Sequence, residues 1–293
     1  MNRLIIKLVM TMLCFVPIFG QDQYQKEIED AYKASLQAIQ KGPSQLSVRG
    51  QAVLDLPEGL GFIPNPQATR LMKALGNGVN SEFDGMIIPL SEVAGWWYIT
   101  VDYTPSGYVK DDDAKDWDSQ EMLDQMKEGT EYMNKERIKR GWPQIEVVGW
   151  VQEPTYFSNS HEMIWSVSSK EKNKEQTEQS GINYNTLVLG REGYVSLNLV
   201  TSLKQVEELK STSRELINRL KFIDGKRYAD VDMETDKIAT YGLAALVTGV
   251  AAKKLGLFAI VAAFLAKFGK VLAIALAGGG WAAFKRFFSK KSE

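Results

Sequence analysis

The run Ile182-Asn183-Tyr184-Asn185-Thr186-Leu187-Val188-Leu189, Gly190-Arg191-Glu192-Gly193, Tyr194-Val195-Ser196-Leu197-Asn198-Leu199-Val200-Thr201 decides the fold class. Two segments rich in β-branched and aromatic residues flank four residues that begin and end in glycine, which reads as a β-hairpin. Upstream, residues 145–151 and 163–168 are further strand-like runs, and 170–180 is a charged, polar loop. Residues 52–56, 86–90 and 96–103 read as earlier strands, the last strongly so from its content of β-branched and aromatic side chains. Neighbouring strands joined by short turns favour antiparallel pairing.

Helices interrupt this pattern. Tyr24, Ile28, Tyr32, Leu36 and Ile39 recur at helical spacing, and Gly42-Pro43 ends that helix. Asn65-Pro66 reads as an N-cap with proline in the first turn, and Gly76-Asn77-Gly78 as the stop. Asp118 with Glu121 forms a capping box for a long helix through Arg140, closed by Gly141-Trp142-Pro143. Ser202 with Gln205 opens another, whose apolar positions are Leu203, Val206, Leu209, Leu216 and Leu220. The resulting expectation is an α+β body: an antiparallel sheet with helices over one face, followed by a membrane-embedded helical tail.

The ends differ in material from the body. Residues 1–20 fit a secretory signal peptide: Arg3 and Lys7 give a basic start, and an apolar stretch from Leu8 to Phe19 is short for a bilayer span. Cleavage before Gln21 and retention as an uncleaved anchor both remain open. Residues 21–237 form the extracytoplasmic domain, and 238–293 a transmembrane tail with a basic C-terminus. Ile238, Gly242, Leu255 and Leu276 mark the anchor, and no acidic residue occurs from Ile238 to Phe284. Lysine pairs divide the tail into three apolar stretches. The middle one, at about 1.5 Å per residue, reaches only about 18 Å. Three crossings are excluded by length. A cytoplasmic basic terminus and an exported body require an odd number, which favours one. The lysines within the tail are read as snorkelling at the interface, or as a polar seam in an oligomer.

Charge and cysteine usage exclude several function classes. Ten of the 35 basic residues lie in the leader and tail, as does one of the 36 acidic residues, leaving the body 25 bases against 35 acids. An acidic body argues against nucleic acid as a partner. Cys14, the single cysteine, lies in the leader, so the body has neither disulfides nor thiolate metal sites. Asp111, Asp112, Asp113, Asp116 and Asp118 are the densest acidic group. Asp111, Asp113 and Asp116 are candidate calcium ligands, because hard cations take carboxylate oxygens, although the spacing lacks a glycine turn and distal glutamate. No other cofactor is expected. His161, the sole histidine, reads as an exposed pair with Glu162. Glu82, Asp84, Glu146 and Glu153 are the carboxylates from which an acid/base pair would be drawn. Trp96, Tyr108 and Trp117 are candidates for a binding surface, since alternation puts Trp96 and Trp97 on opposite strand faces. Core packing should claim most of the remaining aromatics.

Several longer runs are distinctive: Pro105-Ser106-Gly107-Tyr108-Val109-Lys110-Asp111-Asp112-Asp113-Ala114-Lys115-Asp116-Trp117-Asp118, Gly181-Ile182-Asn183-Tyr184-Asn185-Thr186, Leu189-Gly190-Arg191-Glu192-Gly193-Tyr194, Ser196-Leu197-Asn198-Leu199-Val200, Gly225-Lys226-Arg227-Tyr228-Ala229-Asp230 and Tyr241-Gly242-Leu243-Ala244-Ala245-Leu246. In this order they resemble an uncharacterised family of bacterial membrane-anchored proteins, a domain of unknown function with a signal peptide and an apolar C-terminal tail. The resemblance implies export and anchoring, and it brings no catalytic residues.

The expected role is a membrane-anchored envelope protein, its body a non-enzymatic binding or scaffold domain outside the cytoplasmic membrane. Expected partners are the lipid bilayer, through the tail, and an envelope protein or cell-wall component, with self-association open. The alternatives are a carboxylate-dependent envelope hydrolase and a small oligomeric membrane pore built from the tail.

Overall fold

The structure, a computed structural model, describes residues 18–249 apart from residues 76, 92–96, 140 and 142. In chain order the elements are α1 (Ile18–Ala38), β1 (Gln40–Lys41), β2 (Ser44–Val48), β3 (Ala52–Leu56), β4 (Leu60–Pro64), α2 (Gln67–Ala74), β5 (Phe83–Pro89) and β6 (Tyr98–Thr104). After them come α3 (Ser119–Lys139), β7 (Ile145–Phe157), β8 (Glu162–Glu171), β9 (Gly181–Leu189), β10 (Tyr194–Ser202), α4 (Val206–Asn218), β11 (Leu220–Phe222) and α5 (Leu243–Thr248). The hairpin quoted above is β9–β10, closed by a Gly190 N–H to Gly193 carbonyl bond of 2.7 Å.

An eight-stranded antiparallel sheet runs β1-β4-β5-β6-β10-β9-β8-β7, and a three-stranded one runs β11-β3-β2. Alternation along the strands gives the large sheet two faces with different roles. On one, Ile99, Val101, Val195, Leu197, Leu199 and Tyr184 pack with Leu54 and Leu56 of the small sheet and Val206 and Leu216 of α4 in the main core.

Among the described residues the opposite face is covered only at its two ends. At one end α1 and α2 bring Ile28, Ala31, Leu71 and Met72 against Phe83, Met86 and Tyr98. At the other, Met122 of α3 and Leu243 and Leu246 of α5 pack on Met163, Trp165, Leu187 and Leu189. Helices therefore lie on both faces, which corrects the expectation of one covered face. An amphipathic stripe requires a helix to bury one side, but it does not say which side of a sheet receives it.

Local chemistry explains how α3 and α5 are placed. Asp118 Oδ1 accepts from the Gln120 and Glu121 backbone N–H groups at 2.9 and 3.0 Å, capping α3 as expected. The Glu121 carboxylate instead accepts from Gln125 at 3.1 Å within the helix. Buried Asn134 exchanges two bonds with the backbone of Ile145, of 2.8 and 2.9 Å, which ties α3 to the first residue of β7. Asn65 does not cap α2 as expected. Its Oδ1 accepts from the Thr69 hydroxyl at 2.6 Å, and the helix begins after Pro66. Likewise α4 begins at Val206, with Ser202 ending β10.

The boundary between body and tail also moves. Ile238 and Gly242, assigned from sequence to the membrane anchor, lie inside the folded body. Ile238 bridges Tyr108 in parallel, flanked by a Tyr108 N–H to Lys237 carbonyl bond and an Ala239 N–H to Tyr108 carbonyl bond, both 2.8 Å. Gly107, at φ +88°, permits this approach, because a Cβ there would lie 2.4 Å from the Lys237 carbonyl oxygen. Tyr241, Leu243, Leu246 and Val247 are buried, and α5 ends at Gly249 in the left-handed conformation. An apolar run has the same composition whether it fills a core or a bilayer, so sequence drew the line too early. Leu255 and Leu276 lie outside the described residues. Among the described residues no helix is long and apolar enough to cross a membrane.

Candidate functional site

Between the two covered ends, the second face of the large sheet forms an open cleft of about 440 Å³. Its floor is built by cross-strand register. Thr100, Asn198, Asn185 and Trp165 form one row across β6, β10, β9 and β8, and Asp102, Ser196 and Leu187 form the next. Asn183, Thr104 and Tyr194 extend the polar floor. Phe83, Tyr98 and Met72 wall it on the α2 side, and Leu246 of α5 on the other. The volume falls within the roughly 300–1,000 Å³ usual for small-molecule sites.

The electrostatics of this floor are unusual for a sheet interior. Burial pushes the Asp102 carboxyl up to about 6; a hydrogen bond from Thr100 opposes this, and Asp84 and Glu82 add to it. Burial likewise raises the Tyr194 phenol far above its ordinary range. Asn198 Nδ2 donates to Asn183 Oδ1 at 3.2 Å, while the buried Asn198 Oδ1 has no protein donor. Such an acceptor costs about 1–3 kcal/mol when left without a partner.

A second cluster lies where β7 turns into β8. The Tyr156 hydroxyl donates to Asp111 Oδ2 at 2.7 Å and lies 3.1 Å from His161 Nδ1, with His161 and Asp111 themselves 3.8 Å apart. The Tyr228 ring stacks on Tyr108 at 4.4 Å and lies 4.1 Å from the His161 ring, and its hydroxyl donates to the Val109 carbonyl at 2.9 Å. Burial lowers the His161 pKa, partly offset by Asp111, so the imidazole is held neutral. His161 is thus one member of an aromatic and carboxylate network, which corrects its reading as an exposed pair with Glu162. Its left-handed backbone, at φ 54°, turns the ring toward the tyrosines.

A family described as "Protein of unknown function (DUF2167)" matches residues 40–277. The chain belongs to this family. The match includes the whole sheet, α5 and much of the apolar tail. No curated protein matches the chain. Among solved structures it is similar to cyanobacterial PsbP (CyanoP) from Synechocystis sp., at 10% identity and a TM-score of 0.37. That alignment covers 64% of this chain and 93% of the other.

In this DUF2167 domain the sequence-expected site residues do not converge. Asp111 faces Tyr156 and His161. Asp113 instead accepts from the Leu243 and Ala244 N–H groups at 3.1 and 3.0 Å, opening α5, and Asp116 is exposed. No group of three or more His, Cys, Asp or Glu side chains placed to hold a metal occurs among the described residues. Trp96 lies outside the described residues, and Trp97 is buried in the main core. Tyr108 is half-buried against Tyr228, and Trp117 packs beside Met122 and α5. Asp84 pairs with Arg49 at 2.5 Å and Glu146 with Lys170 at 3.6 Å, each held by a cation of its own.

Sequence reasoning missed the cleft. Thr100, Asp102 and Thr104, and Tyr194, Ser196 and Asn198, each recur at every second residue of a strand. That alternation marks one polar face per strand. It reads as solvent-facing until the packing sets α2 on one side of it and α5 on the other, so that the polar face becomes the floor of a cleft. The runs that carry the DUF2167 resemblance supply much of the floor: Asn183, Asn185, Tyr194, Ser196 and Asn198 all fall within them.

Proposed function

We propose that this chain is a non-enzymatic binding domain of the cell envelope, its body outside the cytoplasmic membrane and its apolar tail in the bilayer. One observation carries the binding half: a polar cleft on a sheet face flanked at both ends by packed helices. Where helices cover a sheet face it is ordinarily apolar, and here the stretch left between the helices is polar. Its amides, hydroxyls and one carboxyl are the few convergent polar groups that fix a ligand's orientation. The location half rests on the leader and on the tail beyond Gly249. The partner is an envelope or cell-wall component.

The non-enzymatic reading follows from the composition of the cleft. Nucleophilic catalysis requires an activated hydroxyl or thiol beside a base held in line by a third group; among the described lining residues there is no imidazole, and Asp102, across from Ser196, is the one carboxyl. One observation favours a hydrolase instead: the Asp102 carboxyl, at about 6, exchanges its proton near neutrality. Glycoside cleavage needs a second carboxyl group. Asp102 is the only one among the described lining residues.

The test uses full-length protein carried from its host membranes into nanodiscs. A small molecule retained by the wild-type chain in native mass spectrometry should be lost from Ser196→Trp, which fills the cleft. Equal retention by both would refute the assignment of the site. A reporter fused after Gly249 should be active only outside the cytoplasm, and activity inside would refute the location.

A further inference from the structure

We infer that the cleft recognises an uncharged, polyhydroxylated ligand, a sugar unit of a glycan, with Trp165 at the end of its floor. The inference rests on the binding role proposed above and specifies its chemistry. The polar floor is dominated by groups that both donate and accept: the Asn183, Asn185 and Asn198 amides and the Thr100, Ser196 and Thr104 hydroxyls. Vicinal hydroxyls, which also donate and accept, are the natural complement of such groups.

Geometry supports the same class. Rows on neighbouring strands lie about 4.8 Å apart, and same-face residues along a strand about 6.8 Å apart. The Thr100–Asn198–Asn185 row and the adjoining Asp102–Ser196 pair therefore present a planar grid of bonding groups over the span of a hexose ring. Trp165 closes the first row, and Phe83 and Tyr98 stand at one wall; all three are buried in the flanking cores, so they bound the floor and leave recognition to its polar groups.

Charge excludes the nearest rivals. No lysine or arginine lines the cleft among the described residues, and Arg49, the cation that acts on Asp102 from beyond the lining, is paired with Asp84, so a phosphate, sulfate or carboxylate finds no free counter-charge at the floor. Ionised Asp102 would repel it as well. A simple amine is satisfied by the one carboxylate and leaves three amides unused. Above its pKa of about 6, Asp102 accepts from hydroxyls, and sugar binding should strengthen from pH 5 to pH 7.5.

The experiment titrates the full chain, in nanodiscs free of glycoside detergent, with glucose, cellobiose, N,N′-diacetylchitobiose, glucose 6-phosphate and glucosamine. Saturation-transfer NMR and calorimetry read the binding. At least one neutral sugar should bind with a Kd of about 1 mM or tighter. Thr100→Val, nearly isosteric, and Asn198→Leu should each weaken it about tenfold, which one or two lost hydrogen bonds supply. Circular dichroism confirms that each variant is folded. Glucose 6-phosphate should bind at least tenfold more weakly than glucose. No binding by any of the three neutral sugars overturns the inference. Preferential binding of glucosamine overturns it too, while leaving a cleft that binds something. Unchanged sugar affinity in Ser196→Trp would overturn both the ligand class and the site.

Discussion

Asp102 and His161 give the domain two titrations of opposite sign. Burial raises the Asp102 carboxyl from 3.8 to about 6, so between those values the folded chain binds more protons than the unfolded one. Stability therefore falls as pH rises through that window. The penalty at neutral pH is at most about 3 kcal/mol, less whatever solvent at this half-buried position screens. Asp102→Asn should accordingly raise the melting temperature at pH 7.5 by about 5 °C and leave it unchanged near pH 3.5. An equal gain at both pH values would show that the carboxyl is not the cause. His161 behaves in the reverse sense. Its folded pKa is depressed, so the unfolded chain takes up the proton first, and stability declines as pH falls below about 6.5. His161→Asn, a residue that tolerates the left-handed backbone, should flatten this acid limb in denaturant titrations. If the limb persists, the aromatic network does not hold the imidazole neutral.

Among the secondary-structure elements, the hairpin β9–β10 and the helix α3 were legible in the sequence, and α5 was not. Each of the first two carries its own punctuation: glycines around a four-residue turn, and Asp118 before a helical run. The segment that becomes α5 ends in Gly249 but carries no capping side chain of its own at its start. Its N-terminal cap comes from Asp113, 130 residues earlier in the chain, and no local pattern encodes so distant a partner. The same fact explains the failed reading of the aspartate run. Spacing suggested one shared ion, but Asp111, Asp113 and Asp118 serve three different neighbours and Asp116 is exposed. The face on which a helix lands was equally hidden, because apolar spacing encodes burial and not direction. Gly242 makes the long-range cap possible: a Cβ there would lie 2.5 Å from an Asp113 carboxylate oxygen. Gly242→Ala should push that carboxylate away from the Leu243 and Ala244 N–H groups and cost about 1–2 kcal/mol, the usual worth of an N-cap. Urea midpoints measure this directly, and Asp113→Ala should lose a similar amount. If Gly242→Ala matches wild type, the cap contributes nothing to stability.

For the molecule as a whole, the decisive question is where the folded body ends. Sequence composition placed the limit at Lys237, whereas burial carries the body at least as far as Val247. Beyond Lys237, Tyr241, Leu243, Leu246 and Val247 are 8%, 0%, 9% and 3% exposed, and Leu246 also walls the cleft. Burying each such side chain contributes about 1.5–3 kcal/mol, and the area basis makes that an upper estimate. Four together approach the roughly 5–15 kcal/mol of net stability a domain possesses. A chain of residues 21–249 should therefore melt cooperatively, while one of residues 21–237 should show no cooperative transition or should aggregate. The shorter chain melting as high as the longer would mean that residues 238–249 only rest against the body. The shift also limits the tail. On the proposed location at most residues 250–293 are left for the membrane, and a crossing takes about 20 residues, so there is room for at most two. A cytoplasmic basic terminus opposite an exported body requires an odd number, which leaves one. Residues 21–249 should then wash off membranes in carbonate while the full chain stays in the pellet. Retention of the truncated chain would show that the body itself, and not the terminal segment, holds the protein to the bilayer.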